Sequence, residues 1–143
     1  MNIQRSTLNV QRSTNSEDFN LENRLLKYAA EIIRLVERIP RTQAGTHIAG
    51  QLLRSGSSPA PNYGEVRGAE STKDFVHKLG IVLKELNESR IWLRILMERQ
   101  MIPEGEADRV YQECDALSRI MAVSRRTAEG NARNRSQDES GGE

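Results

Sequence analysis

The chain has 143 residues, the length of one ordinary domain, so a second hydrophobic core is excluded. Hydrophobic residues make up 36% and aromatic ones only 4%, so the core must be Leu, Ile, Val and Ala, which suits packed helices better than sheets. A net charge of +1 excludes a global field that would attract nucleic acid or anionic membrane, and the single cysteine, Cys114, excludes an internal disulfide framework and a Cys-rich zinc site.

Residues 2–8, NIQRSTL, recur with conservative changes at 9–15, NVQRSTN. Ile3, Val10 and Leu8 are too few apolar residues for a coiled-coil seam, so residues 1–17 are expected to be a disordered arm that carries a duplicated heptapeptide. From Asn20 to Ile39, Leu21, Leu25, Tyr28, Ile32, Leu35 and Ile39 alternate by four and three, the spacing of one helix face. Ser16, Asp18 or Asn20 is available as N-cap, and Pro40 ends the helix. Thr42 caps a second helix with Ile48, Leu52 and Leu53 on it.

Pro59 and Pro61 then interrupt that helix. A full stop there would leave a loop from about Gly56 to Ser71, too long for a compact bundle. A second helix kinked at Pro59/Pro61 and running from about Thr42 to Ala69 is expected instead, with Ser55, Ser57 and Ser58 bonding carbonyls freed by the kink and Tyr63 and Val66 back on the core face. Ser71 or Thr72 caps the third helix, where Phe75, Leu79, Val82, Leu86, Ser89, Leu93 and Leu96 form an unbroken seam about 40 Å long. The fourth helix, from about Glu104 to Ala128, repeats the rhythm with Ala107, Val110, Cys114, Leu117, Met121 and Ser124, and the polar stretch 129–143 is expected to be a disordered tail. Short links at 40–42 and 102–104 turn the chain back on itself. The expectation is an all-α, antiparallel up-down-up-down four-helix bundle over residues 18–128.

On a helical wheel, Ile81, Glu88, Trp92 and Ile95 fall on the third helix away from its seam, and they are the candidate oligomer interface with Trp92 as anchor. Arg54, Asn62, Glu65, Glu85, Glu88 and Arg90 form a candidate polar cluster between the second and third helices, read chiefly as register-setting contacts. Arg119, Arg125, Arg126, Arg133 and Arg135 make a local basic cluster suited to phosphate. A di-iron centre needs Glu-x-x-His on two helices, yet neither His47 nor His77 has a Glu three residues before it, so no metal or other cofactor is expected. Cys114 lies on an apolar seam, and no GxSxG, P-loop or GxGxxG motif occurs, so no catalytic residue and no small-molecule substrate is indicated. No apolar run approaches the roughly 18 residues of a membrane span and no signal segment heads the chain. A soluble, cytoplasmic, non-enzymatic protein is expected.

The run from Gln51 to Leu96 resembles the four-helix bundle family named for proteins encoded in intervening sequences of bacterial 23S ribosomal RNA genes. The resemblance is carried by Gln51-Leu52-Leu53-Arg54-Ser55, Asn62-Tyr63-x-Glu65, Gly68-Ala69-Glu70-Ser71, Asp74-Phe75-x-His77-Lys78 and Lys84-Glu85-x-Asn87-Glu88-x-Arg90-x-Trp92. It implies a long second helix continuing through the Asn-Tyr segment. The family is similar in fold to the accessory variability determinant of diversity-generating retroelements, a pentameric bundle that binds nucleic acid and a reverse transcriptase. The resemblance therefore implies a ring-like homo-oligomer, a pentamer by that likeness, and the chain is expected to act as a non-enzymatic interaction or scaffold module. The alternative is a nucleic-acid-binding (RNA or DNA) accessory protein of a ribonucleoprotein or retroelement-like system.

Overall fold

The computed structural model describes the backbone of residues 2–141 and the side chains of residues 20–141. It is all-helical: α1 (Asn2–Arg38), α2 (Gln43–Ser57), α3 (Pro59–Val66), α4 (Thr72–Glu98) and α5 (Glu106–Ser140). α2 and α3 are the two legs of one helix bent at Ser58, whose own backbone stays helical (φ −73°, ψ −33°). Four helical rods result, as the heptad-like spacings require.

The backbone is helical from Asn2, so Asn20 lies within α1 and does not cap it. The side chains of the expected arm, 1–17, and of the candidate caps Ser16 and Asp18 lie outside the described residues. At the other end α5 continues past Ala128 to Ser140, and beyond it almost every side chain is exposed. Gly130 is the one glycine between Ala128 and Ser140 and no proline occurs there, so the backbone is able to continue its own ladder.

The ends are set by local chemistry. Thr42 caps α2, its hydroxyl accepting from the Gly45 amide at 3.0 Å. Ser71, rather than Thr72, caps α4 by accepting from the Asp74 amide at 3.0 Å, while the Asp74 carboxylate accepts from the Glu70 amide at 3.2 Å. α4 ends in a Schellman turn. The Met101 amide donates to the Leu96 carbonyl and the Gln100 amide to the Met97 carbonyl, which places Gln100 in the left-handed region at φ 52°. Gly105, at φ 92°, then leads into α5, two residues later than the Glu104 start expected.

At the bend, Pro59 and Pro61 take the first and third positions of α3, where missing amides cost least, and the Asn62 amide still reaches the Ser58 carbonyl at 3.1 Å. The serines do bond backbone carbonyls, but one turn earlier than expected. Ser55 donates to Gln51 at 2.8 Å, Ser57 to Leu53 at 2.5 Å and Ser58 to Arg54 at 2.6 Å, whereas the prolines free the carbonyls of Ser55 and Ser57. A hydroxyl on a helix points back along it, toward the carbonyl four residues before its own.

Ion pairs fix the direction of neighbouring rods. Arg24 pairs with Glu113 and Arg38 with Glu106 between α1 and α5, so the partner's number falls as the helix advances. His47 with Trp92 and Arg54 with Glu85 and Glu88 do the same between α2 and α4. The bundle is antiparallel, with α1 beside α2, α3 and α5, and α4 beside the same three on the opposite diagonal. The seams named above fill the centre: Leu25, Ile32, Leu52, Leu79, Leu86, Leu93, Leu96, Leu117 and Met121 are buried, and Tyr63 and Val66 rejoin the core past the bend. Gly56 lets α2 approach α1, since a Cβ there would stand 2.7 Å from Ile32 Cγ1.

Candidate functional site

Of the expected polar cluster, the fold assembles one part. Arg54 on α2 reaches Glu85 at 3.3 Å, Glu88 by a short ion pair, and Gln51 on its own helix at 3.2 Å. Arg90 points to the other flank of α4 and pairs with Asp115 of α5 at 3.3 Å. Asn62 is half-buried and Glu65 exposed, both in α3, below the arginine. The reason is angular: Glu85 and Glu88 share the α2-facing side of α4, while Arg90, two residues on, is about 200° away. These are half-exposed interhelical pairs, each contributing on the order of 0–1 kcal/mol, and they set the register of α2 on α4.

The stripe expected to face away from the core is corrected in part. Trp92 and Ile95 are half-buried against the core cluster, because α2 lies alongside that flank. The Trp92 ring meets His47 of α2 edge-on, with centroids 5.8 Å apart and planes at 78°, and Glu88 holds Arg54. Ile81 remains open at 38% exposure. Other apolar side chains are more open, Ile91 (52%) on α4 itself and Val123 (54%) on α5 among them. Leu26 (55%) and Ile33 (45%) sit two turns apart on α1, and Leu53 (39%) is on α2. The Glu22–Arg67 pair and the Gly56–Ile32 contact place the three along the outer edge of the seam between α1 and the kinked helix.

The arginines of α5 divide into distinct roles. Arg119 pairs with Asp115 at 2.8 Å, and Arg125 lies over Gly80 with its Nε 3.5 Å from Glu129. Arg119, Arg126 and Arg133, seven apart, are exposed along one stripe, whereas Arg135 turns toward the end of the bundle.

Two features were not legible as sites in the sequence. The first is a hydrogen-bonded group within the core. The Tyr28 hydroxyl meets Ser89 Oγ at 2.7 Å across the bundle diagonal, Ser89 donates to the Leu86 carbonyl at 2.9 Å, and Cys114 Sγ donates to the same carbonyl at 3.2 Å. Burial pushes the Tyr28 phenol well above its ordinary pKa range and raises the Cys114 thiol, which disfavours the ionised, nucleophilic form of each. Each residue was readable as a seam position, but their meeting needed the tertiary fold.

The second is a cavity of about 960 Å³ where α3 turns into α4. Tyr63, Val66, Phe75, Leu79 and Met121 line it within, and Arg24, Arg67 and Arg135 line it among polar neighbours. The signal in the sequence is the rhythm of α5. Ser124, Ala128, Asn131 and Arg135 continue the spacing of Cys114, Leu117 and Met121 toward this end, Ser124 and Ala128 half-buried and Asn131 and Arg135 exposed. Among the described residues no group of three or more His, Cys, Asp or Glu side chains is arranged for a metal, and no helix is long and apolar enough to cross a membrane.

Comparison with known proteins agrees with this architecture. No curated protein matches the chain. A crystal structure of a protein with unknown function from the S23 ribosomal protein family of Bacteroides thetaiotaomicron is similar, at 28% identity and a TM-score of 0.70, over 76% of this chain and 97% of that one. The family described as 23S rRNA-intervening sequence protein matches residues 17–123, which contain the bent second helix, both interhelical ion-pair flanks and the whole apolar core. The chain belongs to the 23S rRNA-intervening sequence protein family.

Proposed function

We propose that the protein is a non-enzymatic, homo-oligomeric four-helix bundle that acts as an interaction or scaffold module in the cytoplasm. The observation that carries this reading is the set of apolar side chains left open outside a filled core: Leu26, Ile33 and Leu53 on one flank, and on another Ile81 in line with half-covered Trp92 and Ile95. A two-fold dimer needs one self-complementary patch, whereas a ring needs two different patches that meet head to tail. Two patches on separate flanks favour the ring, a pentamer included. Light scattering on the full chain should give a mass several times 16.2 kDa. Ile33→Glu and Trp92→Glu should each lower it. A wild-type monomer at micromolar concentration overturns the reading.

A second reading is favoured by one observation, the exposed line of Arg119, Arg126 and Arg133 at intervals of about 10 Å on α5. That line suits the phosphates of RNA or DNA, and subunits in a ring would repeat it. Binding would then weaken steeply with salt, and neutralising the three arginines would flatten the slope by about three. Binding that is absent in the wild type, or unchanged in the triple variant, removes this reading.

A further inference from the structure

The geometry points to a double-stranded nucleic acid as the ligand of the outer α4–α5 face, held through its phosphates by cations from both helices. This inference rests on the nucleic-acid reading above and names the form of nucleic acid that the face fits. That reading used one row of cations, Arg119, Arg126 and Arg133 on α5. The seam supplies a second row. Arg125 of α5 lies over Gly80 of α4 and Arg90 pairs with Asp115, which fixes how the two antiparallel helices sit side by side. Lys73 and Arg94 stand two and four turns from Gly80 and Lys84 one turn from it, so the three share its outward side of α4. All three are exposed and form no ion pair among the described residues. The carboxylates between the rows are already paired, Asp115 with Arg90 and Arg119 and Glu129 with Arg125. Glu98 and Asp108 come only past Arg94, at the loop end, so the face itself is positive.

Two rows favour a duplex over a single strand. Packed helix axes stand roughly 8–10 Å apart, and the two backbones of a duplex face each other across grooves of roughly 6–12 Å, so each row can follow one backbone. The α4 row spans about 30 Å and the α5 row about 20 Å, within one duplex turn of roughly 34 Å. Between the rows Arg125 keeps its guanidinium on the seam, in space that a Cβ at Gly80 would crowd at 3.2 Å. Proteins that hold single strands stack the bases on open aromatic rings. Among the described residues no aromatic is exposed: Tyr28 and Tyr63 are buried, and Phe75, Trp92 and Tyr111 pack against the core. Ile91 and Val123 are open on this face, but they lie on different helices and about 15 Å apart along the seam, so they make no patch for a protein partner. Contacts confined to phosphates carry no sequence information, so binding should be indifferent to sequence.

The test measures fluorescence anisotropy of labelled DNA and RNA duplexes of about two turns, and of their separate strands, with the full chain. Either duplex, or both, should bind at least tenfold more tightly than its own strands and equally well when its sequence is scrambled. Lys73→Gln, Lys84→Gln and Arg94→Gln together should weaken duplex binding at least tenfold and lower the salt slope by about three. Lys27→Gln, Arg34→Gln and Arg41→Gln, which remove the same charge from exposed positions on the far side of the bundle, should leave both nearly unchanged. Equal affinity for duplexes and single strands, equal weakening by the two triple variants, or tighter binding to phosphatidylserine vesicles than to either duplex overturns the proposal. If the α5 arginines still prove necessary for nucleic-acid binding in such a case, the broader reading stands without this one. A wild type that binds no nucleic acid removes both.

Discussion

Gln100 ends α4 in a conformation that side chains other than glycine resist, because its Cβ crowds the following carbonyl at φ 52°. Gln100→Gly is expected to stabilise the fold by about 1 kcal/mol, read as a rise of roughly 3–5 °C in melting temperature. Within the core, Tyr28→Phe removes a hydroxyl but leaves Ser89 donating to the Leu86 carbonyl, so it should cost about 1 kcal/mol. Ser89→Ala instead takes from the buried phenol its 2.7 Å partner and should cost more, roughly 1–3 kcal/mol in chemical denaturation. Burial also ties this group to pH. In the unfolded chain the thiol titrates near about 8.5 and the phenol near about 10, whereas in the fold both are pushed higher and stay protonated. The unfolded state therefore binds fewer protons as pH rises, so stability is full below about pH 8 and falls above about pH 9. The Tyr28→Phe, Cys114→Ala pair of changes should flatten that alkaline decline, and an unaltered slope would show that other groups govern it.

At the level of elements, the approach of α2 to α1 depends on Gly56, and the bend at Ser58 keeps both legs of the helix against the core. Gly56→Ala would bring a methyl to 2.7 Å from Ile32 Cγ1, so one helix must move. A loss of about 1–3 kcal/mol is expected by overpacking. Ile32→Ala in the same chain should cost less than it does in the wild type, since it removes both γ carbons that the new methyl would meet, Cγ1 at 2.7 Å and Cγ2 at 2.8 Å. Strictly additive costs for the two changes would place the strain elsewhere. Burial of the second leg explains why the helix is kinked and not broken. Prolines at the first and third positions of α3 end the direct amide ladder, but buried Pro59, Ala60, Tyr63 and Val66 hold the second leg in line.

For the whole molecule, the core ends before α5 does. Removing residues 129–143 should leave helix content per residue and melting temperature nearly unchanged, because almost every side chain from Gly130 onward is exposed. A drop of more than about 5 °C would show that the extension packs on the bundle. The two apolar patches give a sharper test of ring assembly. If subunits meet head to tail, Ile33→Glu and Trp92→Glu chains should each be monomeric, yet form a heterodimer when mixed, through the one intact junction. Failure to pair on mixing, with both variants folded, would exclude the head-to-tail arrangement.

The sequence alone determined the class, the seams and the helix ends at Pro40, Thr42 and Ser71 of this protein, because a four-and-three rhythm admits one packing face and those three residues act through their nearest neighbours. The same locality made the bend legible, since proline sterics and serine back-bonding lie within one turn. What tertiary structure alone decided is what each flank meets. Trp92 and Glu88 look outward on an isolated helix, but they become half-covered when α2 settles beside them, and Arg90 leaves the expected cluster for Asp115. Tyr28, Ser89 and Cys114 are far apart in the chain and join only across the bundle diagonal. The end cavity likewise forms only where the α3–α4 turn, α1 and α5 meet, a relation between helices that no single helix face contains.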